Sequence, residues 1–153
     1  MLTRSSLSRI IYYSRSNLER EPGLLREQEQ QLVRQCRRQN EFALITSILV
    51  HDRGYFCQMM EGDREALNQT FRKISVDNRH KDVRIVEWRE IPRRELLPSF
   101  ELIERNLMTQ EILERFEIDE ELARGTPKPS HLHDCFHALQ ANLLAKRGIE
   151  ALT

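Results

Sequence analysis

The chain has 153 residues, which indicates a single domain with at most a short appendage. Its 39% of hydrophobic residues suffice for one ordinary core, and its 24 basic residues balance 24 acidic ones, so that the formal net charge is zero. A balanced charge argues against broad electrostatic attraction to nucleic acid or to an anionic membrane, and it favours a specific partner, a small ligand or self-association.

The first segments predict a strand followed by a helix. Residues 8–14 are rich in Ile and Tyr, a composition typical of a strand. Residues 24–40 contain no helix-breaking residue, and Leu25, Leu32 and Cys36 recur near helical spacing. We therefore expect a helix with a narrow apolar stripe after the first strand.

A hairpin is predicted next. Residues 43–51 are apolar and β-branched, residues 55–60 are aromatic and apolar, and the short turn of residues 52–54 joins them. The polar run of residues 61–63 is expected to end the second of these strands.

The following segments complete a known order of elements. Residues 64–76 carry apolar side chains at helical spacing, residues 83–91 predict a further strand, and residues 100–103 predict a weaker fifth strand. The order β-α-β-β-α-β, with an additional strand, is that of an α+β, ferredoxin-like sheet with both helices on one face.

The second face of this sheet also needs a cover, because the hairpin strands are apolar on both sides. The C-terminal tail is the material left for it. Thr109 is suited to cap a short helix, and Ser130 to cap a second one that ends near Gly148. We therefore predict a sheet domain, residues 1–105, and a helical extension, residues 106–153, that packs on the face away from the first two helices.

Cysteine usage and the N-terminus bear on localisation. Cys36, Cys57 and Cys135 are odd in number and widely spaced, which is typical of reduced thiols in a cytoplasmic protein. The apolar run of residues 10–13 is too short for a signal peptide. No segment approaches the roughly 20 apolar residues that a membrane span requires. We therefore expect a soluble, cytoplasmic protein.

Three polar residues occupy positions that apolar ones would fill more easily: Tyr12 in the first strand, Gln58 in the second hairpin strand and Asn40 at the end of the first helix. A buried glutamine amide without a partner costs about 1–3 kcal/mol. Gln58 therefore needs partners, and Tyr12 is one if both lie on the same face. From the pattern alone, a satisfied core position, an exposed edge for Gln58 and a helix C-cap for Asn40 stay open.

The stretch RIIYYSRS, the run from Asn40 through ITSILV to FCQMMEGD, and the segment ISVDNRH resemble BLUF (blue light using flavin) domains. The resemblance covers residues 7–105 and rests on an ordered set: Tyr, then Asn, then Gln-x-x-Glu-Gly, then Asp-x-Arg-His. In the family the tyrosine of the first strand precedes a polar triplet, which selects Tyr12 over Tyr13. The resemblance implies a blue-light photoreceptor that is not an enzyme.

The resemblance also implies a flavin, usually FAD with FMN as the alternative, between the two helices. Asn40 has one donor and one acceptor end, which matches the carbonyl and N–H groups on the edge of the flavin ring. His80 is expected to close a loop without touching the flavin. The other implied cofactor contacts are Tyr12 and Gln58, the apolar wall residues Leu25, Leu32, Ile45 and Ile74, and the polar residues Lys73, Asp77 and Arg79.

A light-driven hydrogen-bond switch is the mechanism that the resemblance implies. Tyr12, a neutral phenol because its unperturbed pKa is about 10, gives up an electron to the excited flavin, and a proton follows through Gln58. When both return, Gln58 is left rotated or tautomerised, with its donors and acceptors exchanged. The fifth strand and the C-terminal helices then pass the change to a downstream signalling protein or through a homo-oligomer, without nucleic acid or membrane.

Two segments depart from the family pattern. The usual Gly-Ile-Thr-Gly-like second strand reads Leu-Ile-Thr-Ser at residues 44–47, which is expected to crowd the pocket. The usual Trp or Met of the fifth strand is missing from residues 98–101, which read Pro-Ser-Phe-Glu. Trp88, on the fourth strand, is no obvious substitute. These departures motivate an alternative, a BLUF-fold interaction module that no longer binds flavin.

Two further hypotheses have less support in the residues. A small ferredoxin-like enzyme, such as an acyl-phosphate hydrolase, would need an anion-cradling loop after the first strand, and the segment RSNLEREPG is acidic there. His133 and His137, at i and i+4 of a predicted helix, could share a metal ion, but no third ligand is evident from the sequence. We therefore expect a polar helix face there and no metal site.

Overall fold

A computed structural model describes residues 6–97 and 100–152 of the chain. In this part, five strands form one sheet: Leu7–Ser16 (β1), Thr46–Asp52 (β2), Tyr55–Asp63 (β3), His80–Glu90 (β4) and Phe100–Glu104 (β5). Five helices accompany them: Pro22–Ala43 (α1), Arg64–Ser75 (α2), Gln110–Phe116 (α3), Ile118–Arg124 (α4) and Pro129–Leu152 (α5). None of the described helices has the length and apolar character needed to cross a bilayer. Pro98 and Ser99, where the family pattern is broken, lie outside the described residues.

The strand order β4-β1-β3-β2-β5 confirms the α+β, ferredoxin-like prediction. β1 and β3 are the central antiparallel pair, and β5 joins the edge of β2 in parallel. The predicted hairpin of β2 and β3 is present. Its two turn residues, Arg53 and Gly54, both have positive φ (47° and 82°), the conformation that two-residue hairpin loops favour.

The predicted start of β2 at residue 43 is wrong, because α1 continues to Ala43. Leu44 follows in the left-handed conformation with φ 55°, and its backbone N–H donates to the carbonyls of Asn40 and Glu41. This arrangement ends the helix. Glycine usually takes such a position, so the leucine conceals the helix end from a sequence-based prediction.

The expectation that residues 61–63 end β3 is also wrong. The strand continues to Asp63, with Glu61 opposite Arg9 and Gly62 opposite Ser8 of β1. A Cβ atom on Gly62 would lie 3.0 Å from Cγ1 of Ile45. Gly62 therefore serves the close approach of β3 to the end of α1, and not a turn.

Helices cover both faces of the sheet, as predicted. Ile10 and Tyr12 of β1 share a buried cluster with Leu67 of α2. The alternate β1 residues Ile11 and Tyr13 belong to a larger cluster with side chains of α3, α4 and α5. Successive residues of a strand point to opposite faces, so β1 separates a layer of α1 and α2 from a layer of C-terminal helices.

The described part of the C-terminal tail, residues 106–152, contains three helices and not two. α4 was not predicted, since its short, acidic sequence buries only Ile118 and Leu122. Thr109 precedes α3 as expected, but without a side-chain capping bond to that helix; its hydroxyl accepts from the Asn106 N–H instead. α5 passes through Gly148, so the predicted end at this residue is wrong.

Candidate functional site

Tyr12 and Gln58 lie opposite each other on the two central strands. They are Cα partners in the antiparallel register of β1 and β3, and the Tyr12 hydroxyl donates to Oε1 of Gln58 across 2.5 Å. Both side chains are buried, with exposed fractions of 3% and 4%. An edge position for Gln58 is thereby excluded, and its amide has a partner of the kind that burial requires.

The side chains of Tyr12 and its neighbour Tyr13 lie on opposite faces of the sheet. Tyr12 lies with the cluster under α2, whereas Tyr13 lies in the cluster under the C-terminal helices. The ring of Phe71 on α2 meets the Tyr12 ring edge-on, with 5.7 Å between centroids. The selection of Tyr12 over Tyr13 therefore agrees with where the two side chains lie.

The Tyr12 phenol is held in its neutral form. Burial raises its pKa well above the ordinary value, and Cys36, Cys57 and Asp77 add to the increase. The guanidinium of Arg79 acts in the opposite direction without offsetting burial. Tyr12 is therefore a hydrogen-bond donor at every pH in the physiological range.

A cavity of about 260 Å³ lies between α1 and α2, with Tyr12 and Gln58 in its lining. Small-molecule sites typically have about 300–1,000 Å³, so this volume suits a flat ring better than a whole dinucleotide. Eight of the ten residues predicted to contact a cofactor line the cavity: Tyr12, Leu32, Asn40, Gln58, Lys73, Ile74, Asp77 and Arg79.

Leu25 and Ile45, also predicted to contact a cofactor, do not line this cavity. Leu25 lies near the start of α1 and lines a larger cavity of about 760 Å³, among charged residues such as Arg15 and Glu29. Ile45 is buried in the cluster with Leu67. The family resemblance, and not a spacing pattern, implied these two contacts, and they stay predictions.

Further lining residues were not assigned to a site from the sequence. Gln35, Cys36 and Gln39 extend the cavity wall along α1 from Leu32 to Asn40, at the i, i+3 and i+4 spacing of one helix face. This spacing is the sequence signal from which these lining residues of α1 could have been predicted. The sheet contributes Leu49, Phe56 and Met60, and α2 contributes Thr70. Burial raises the pKa of the Cys36 thiol to about 11, so it remains protonated.

Asn40 is fixed by a residue that the sequence marked only as a departure. Its Nδ2 donates to Oγ of Ser47 across 2.8 Å, and Asn40 and Ser47 are both buried. The carboxamide has a second N–H on Nδ2 and its carbonyl oxygen for a ligand. The expected crowding by Leu44 does not occur, because its side chain is 75% exposed.

The loop after α2 is closed by an ion pair at the cavity wall. Nη2 of Arg79 contacts Oδ2 of Asp77 at 2.5 Å, and the Arg79 backbone N–H donates to Oδ1. Burial raises the pKa of Asp77, but these bonds outweigh it and hold the pKa below its ordinary value. A carboxylate and a guanidinium are thus presented side by side.

His80 ties the same loop to the sheet. Its Nδ1 lies 2.7 Å from Oγ of Ser14, and its Nε2 lies 2.5 Å from the carbonyl oxygen of Ile74. These contacts connect β1 with the end of α2. They fit the predicted loop-closing role of His80, although the residue also contributes to the cavity lining.

Phe100 is the buried aromatic residue that β5 presents to this side of the sheet. It is fully buried and clusters with Leu32, Leu49 and Phe56, three residues that line the cavity. Trp88 lies on β4, at the opposite edge of the sheet, where it meets Phe71 edge-on. Trp88 therefore does not take the place of the missing fifth-strand residue, as predicted. Among the described residues of β5, Phe100 comes nearest to the position of the usual Trp or Met.

The family assignment follows from comparison with family models. Residues 7–98 match the model described as sensors of blue-light using FAD. The chain belongs to the BLUF family. The matched segment of this BLUF protein contains β1 to β4 and the two helices that enclose the cavity. No curated protein matches the chain.

Solved structures similar to this BLUF protein include two that it covers almost completely. The dark-state structure of the BLUF protein BlrB is 26% identical with a TM-score of 0.68, and the match covers 89% of this chain and 98% of BlrB. The photo-activated state of BlsA is 19% identical with a TM-score of 0.74, covering 88% of this chain and 94% of BlsA. Because the identity to BlsA is only 19%, this second match supports a shared fold and nothing further.

A larger protein shares the same fold over part of its length. A bacterial light-regulated adenylyl cyclase is 23% identical with a TM-score of 0.66, and the match covers 77% of this chain. This BLUF protein spans only 35% of the cyclase chain. The likeness therefore extends to the fold of the shared part.

Proposed function

We propose that this chain is a blue-light photoreceptor that binds FAD in the cavity between α1 and α2. FMN is the alternative, since a cavity of about 260 Å³ accounts for the ring and not for the rest of the cofactor. The observation that carries the proposal is the buried bond between Tyr12 and Gln58 in the wall of that cavity. A Tyr–Gln hydrogen bond that only stabilised the core would not need to border a cavity.

The residues present fit a flavin. Asn40, anchored by Ser47, offers a donor and an acceptor to the polar edge of a ring. Leu32, Leu49 and Ile74 supply apolar walls for its faces, and Lys73 supplies a cation for the outer part of the cofactor. When bound, the flavin supplies a ring that absorbs blue light and whose excited state is a strong oxidant.

The protein's part in the switch is to move a proton and to store two amide states. The Tyr12 hydroxyl oxygen lies 2.5 Å from Oε1 of Gln58, so Oε1 is the atom placed to receive the hydroxyl proton. When the proton returns, Gln58 can remain rotated or tautomerised, because the amide has nearly the same shape with donors and acceptors exchanged. The two states differ by one or two hydrogen bonds of about 0.5–1.5 kcal/mol each.

The test is an absorption spectrum before and after blue illumination. We expect purified protein to be yellow and to show a reversible red shift. Tyr12→Phe and Gln58→Leu should retain the flavin and lose the shift. Tyr13→Phe is the matched control, because this neighbouring tyrosine faces the C-terminal helices, and it should keep the shift.

Two results would contradict the proposal. A colourless protein that does not take up added FAD would favour the interaction module without flavin. A normal shift in Tyr12→Phe or Gln58→Leu would remove these residues from the switch while leaving flavin binding intact. The two failures are distinguishable because colour and light response are read separately.

We further propose that the output is contact with a downstream protein or a second copy of the chain, and not catalysis. Exposed apolar side chains support this: Leu107 and Met108 follow β5 and are 89% and 51% exposed. Asn142 of α5 donates to the Met108 carbonyl, which ties this loop to the C-terminal layer. Light scattering coupled to size exclusion, in darkness and in light, tests self-association; a strict monomer without a partner in both states would contradict the proposal.

A further inference from the structure

Three potential metal ligands converge where α5 meets the loop between β4 and β5. Oε2 of Glu95 lies 2.7 Å from Nε2 of His133 and 3.2 Å from Nε2 of His137. The two histidine nitrogens lie 3.1 Å apart. The sequence shows the histidine pair but no third ligand; in the structure Glu95, 38 residues from His133 in the chain, completes the triangle.

Hydrogen bonds alone cannot satisfy these three contacts together. Each Nε2 carries at most one proton, and an ionised carboxylate oxygen only accepts. If both imidazoles donate to Glu95, their N–H groups face each other across 3.1 Å. If one imidazole accepts from the other, it has no proton left for Glu95. A cation at the centre removes the conflict, because all three atoms can then present lone pairs.

Two of the three sides of the triangle are close to the ligand spacing around a particular ion. Ligands about 2.0–2.1 Å from a tetrahedral Zn²⁺ are about 3.3–3.4 Å apart, close to the two longer separations of 3.1 and 3.2 Å found here. Two imidazoles and one carboxylate form a common three-residue zinc set, with the fourth position left for water. We infer that Glu95, His133 and His137 form a zinc-binding site that joins α5 to the β4–β5 loop.

The loop that carries Glu95 is fixed from both sides. The buried carboxylate of Glu61 on β3 accepts from the backbone N–H groups of Glu95 and Leu96. Gln140, one turn along α5 from His137, donates to the Glu95 carbonyl and accepts from the Leu97 N–H. The three ligands are therefore held together by contacts that do not depend on a metal, which lowers the ordering cost of binding one.

Arg9 is the cation beside this site. Its Nη1 lies 3.2 Å from Oε2 of Glu95, and its Nε and Nη2 both donate to Oε1 of Glu87, at 3.0 and 2.7 Å. Glu87 balances the charge of Arg9, so Arg9 orients the Glu95 carboxylate without neutralising it. Hydrogen bonds from neighbouring residues to the ligand side chains orient metal ligands in known sites.

The experiment is calorimetric titration of the metal-stripped full chain with zinc chloride, and with magnesium chloride as the comparison ion. We expect about one Zn²⁺ per chain and no comparable Mg²⁺ binding, since nitrogen ligands favour zinc. The pair His133→Ala with His137→Ala should weaken zinc binding at least about 100-fold, because even outer-shell changes cost about 10–100-fold. His131→Ala is the matched control on the same helix and should bind as the original chain does.

Two supporting measurements keep the test decisive. Glu95→Gln alters the loop and not the helix, so weakened zinc binding in this variant supports the site even if the double variant folds poorly. Zinc should also raise the thermal midpoint of the original chain and not that of Glu95→Gln. Zinc binding no tighter than magnesium binding, or unchanged affinity in a folded double variant, would overturn the inference. Neither result depends on flavin or light.

Discussion

Phe100 of β5 lies beside Ser47 of β2 in the parallel pairing of these strands. Ser47 accepts the hydrogen bond that fixes Asn40, and Phe100 clusters with residues of the cavity wall. One pair of neighbouring residues thus connects the polar edge of the flavin cavity with the strand that leads into the C-terminal helices. A separate prediction follows for the replacement of each of these two residues.

Replacing Ser47 by Ala should weaken flavin binding. The change removes the acceptor that positions Asn40, and a hydrogen bond of about 0.5–1.5 kcal/mol corresponds to a loss of about 2- to 10-fold in affinity. Fluorescence titration of flavin-free protein with FAD measures this. Ser75→Ala is the control, because the Ser75 hydroxyl bonds only to its own helix at an exposed site. Equal affinity in the Ser47 and Ser75 variants would show that Asn40 does not need this anchor.

Replacing Phe100 by Ala should lower the free energy of unfolding by about 3–5 kcal/mol, the usual cost of deleting a buried aromatic side chain. Phe100 is fully buried, whereas Phe42 at the end of α1 is 93% exposed. Phe42→Ala should therefore change stability by no more than about 0.5 kcal/mol. Urea denaturation followed by circular dichroism measures both. A similar small effect for both variants would mean that β5 is not packed on the sheet as described.

Replacing Leu44 by Gly should raise the free energy of unfolding by about 0.5–1 kcal/mol. Leu44 has a φ of 55°, a conformation that costs residues with a side chain about 1 kcal/mol or more and glycine almost nothing. Its side chain is 75% exposed, so little packing is lost. Leu44→Ala keeps the strain and should bring no gain. If Leu44→Gly and Leu44→Ala have the same free energy of unfolding, the backbone strain at Leu44 does not limit stability.

The contrast between predicted and observed elements has a physical basis. The strands and the hairpin were predicted because β-branched and aromatic composition and turn residues are local signals, although the predicted start of β2 and end of β3 were wrong. The end of α1 was missed because Leu44 stands where glycine normally marks it. The bonds of Glu61 and His133 to the loop around Glu95 span 34 to 38 residues of sequence, and no local pattern encodes them. The family motif identified Tyr12, Gln58 and Asn40, which line the cavity, whereas Leu25 and Ile45, also implied by the family resemblance, lie outside its lining.

The buried phenol of Tyr12 gives the light response and the stability a defined pH dependence. Burial raises the pKa of Tyr12 in the folded state above the unfolded value of about 10. The folded protein therefore holds this proton more tightly than the unfolded chain, so the contribution to stability is complete below about pH 10 and is lost as the pH rises above it. The light-induced red shift should keep its amplitude up to about pH 10.

Urea denaturation at about pH 9 and about pH 11 tests the stability part. The original chain should lose more stability between these values than Tyr12→Phe, which has no proton to lose at this position. The other tyrosines and the lysines are common to both proteins, and the unpaired Gln58 of the variant affects it equally at both pH values. Equal losses in the two proteins would mean that the phenol of Tyr12 titrates in the folded state as it does in the unfolded chain, and would contradict its enclosure between the sheet and α2.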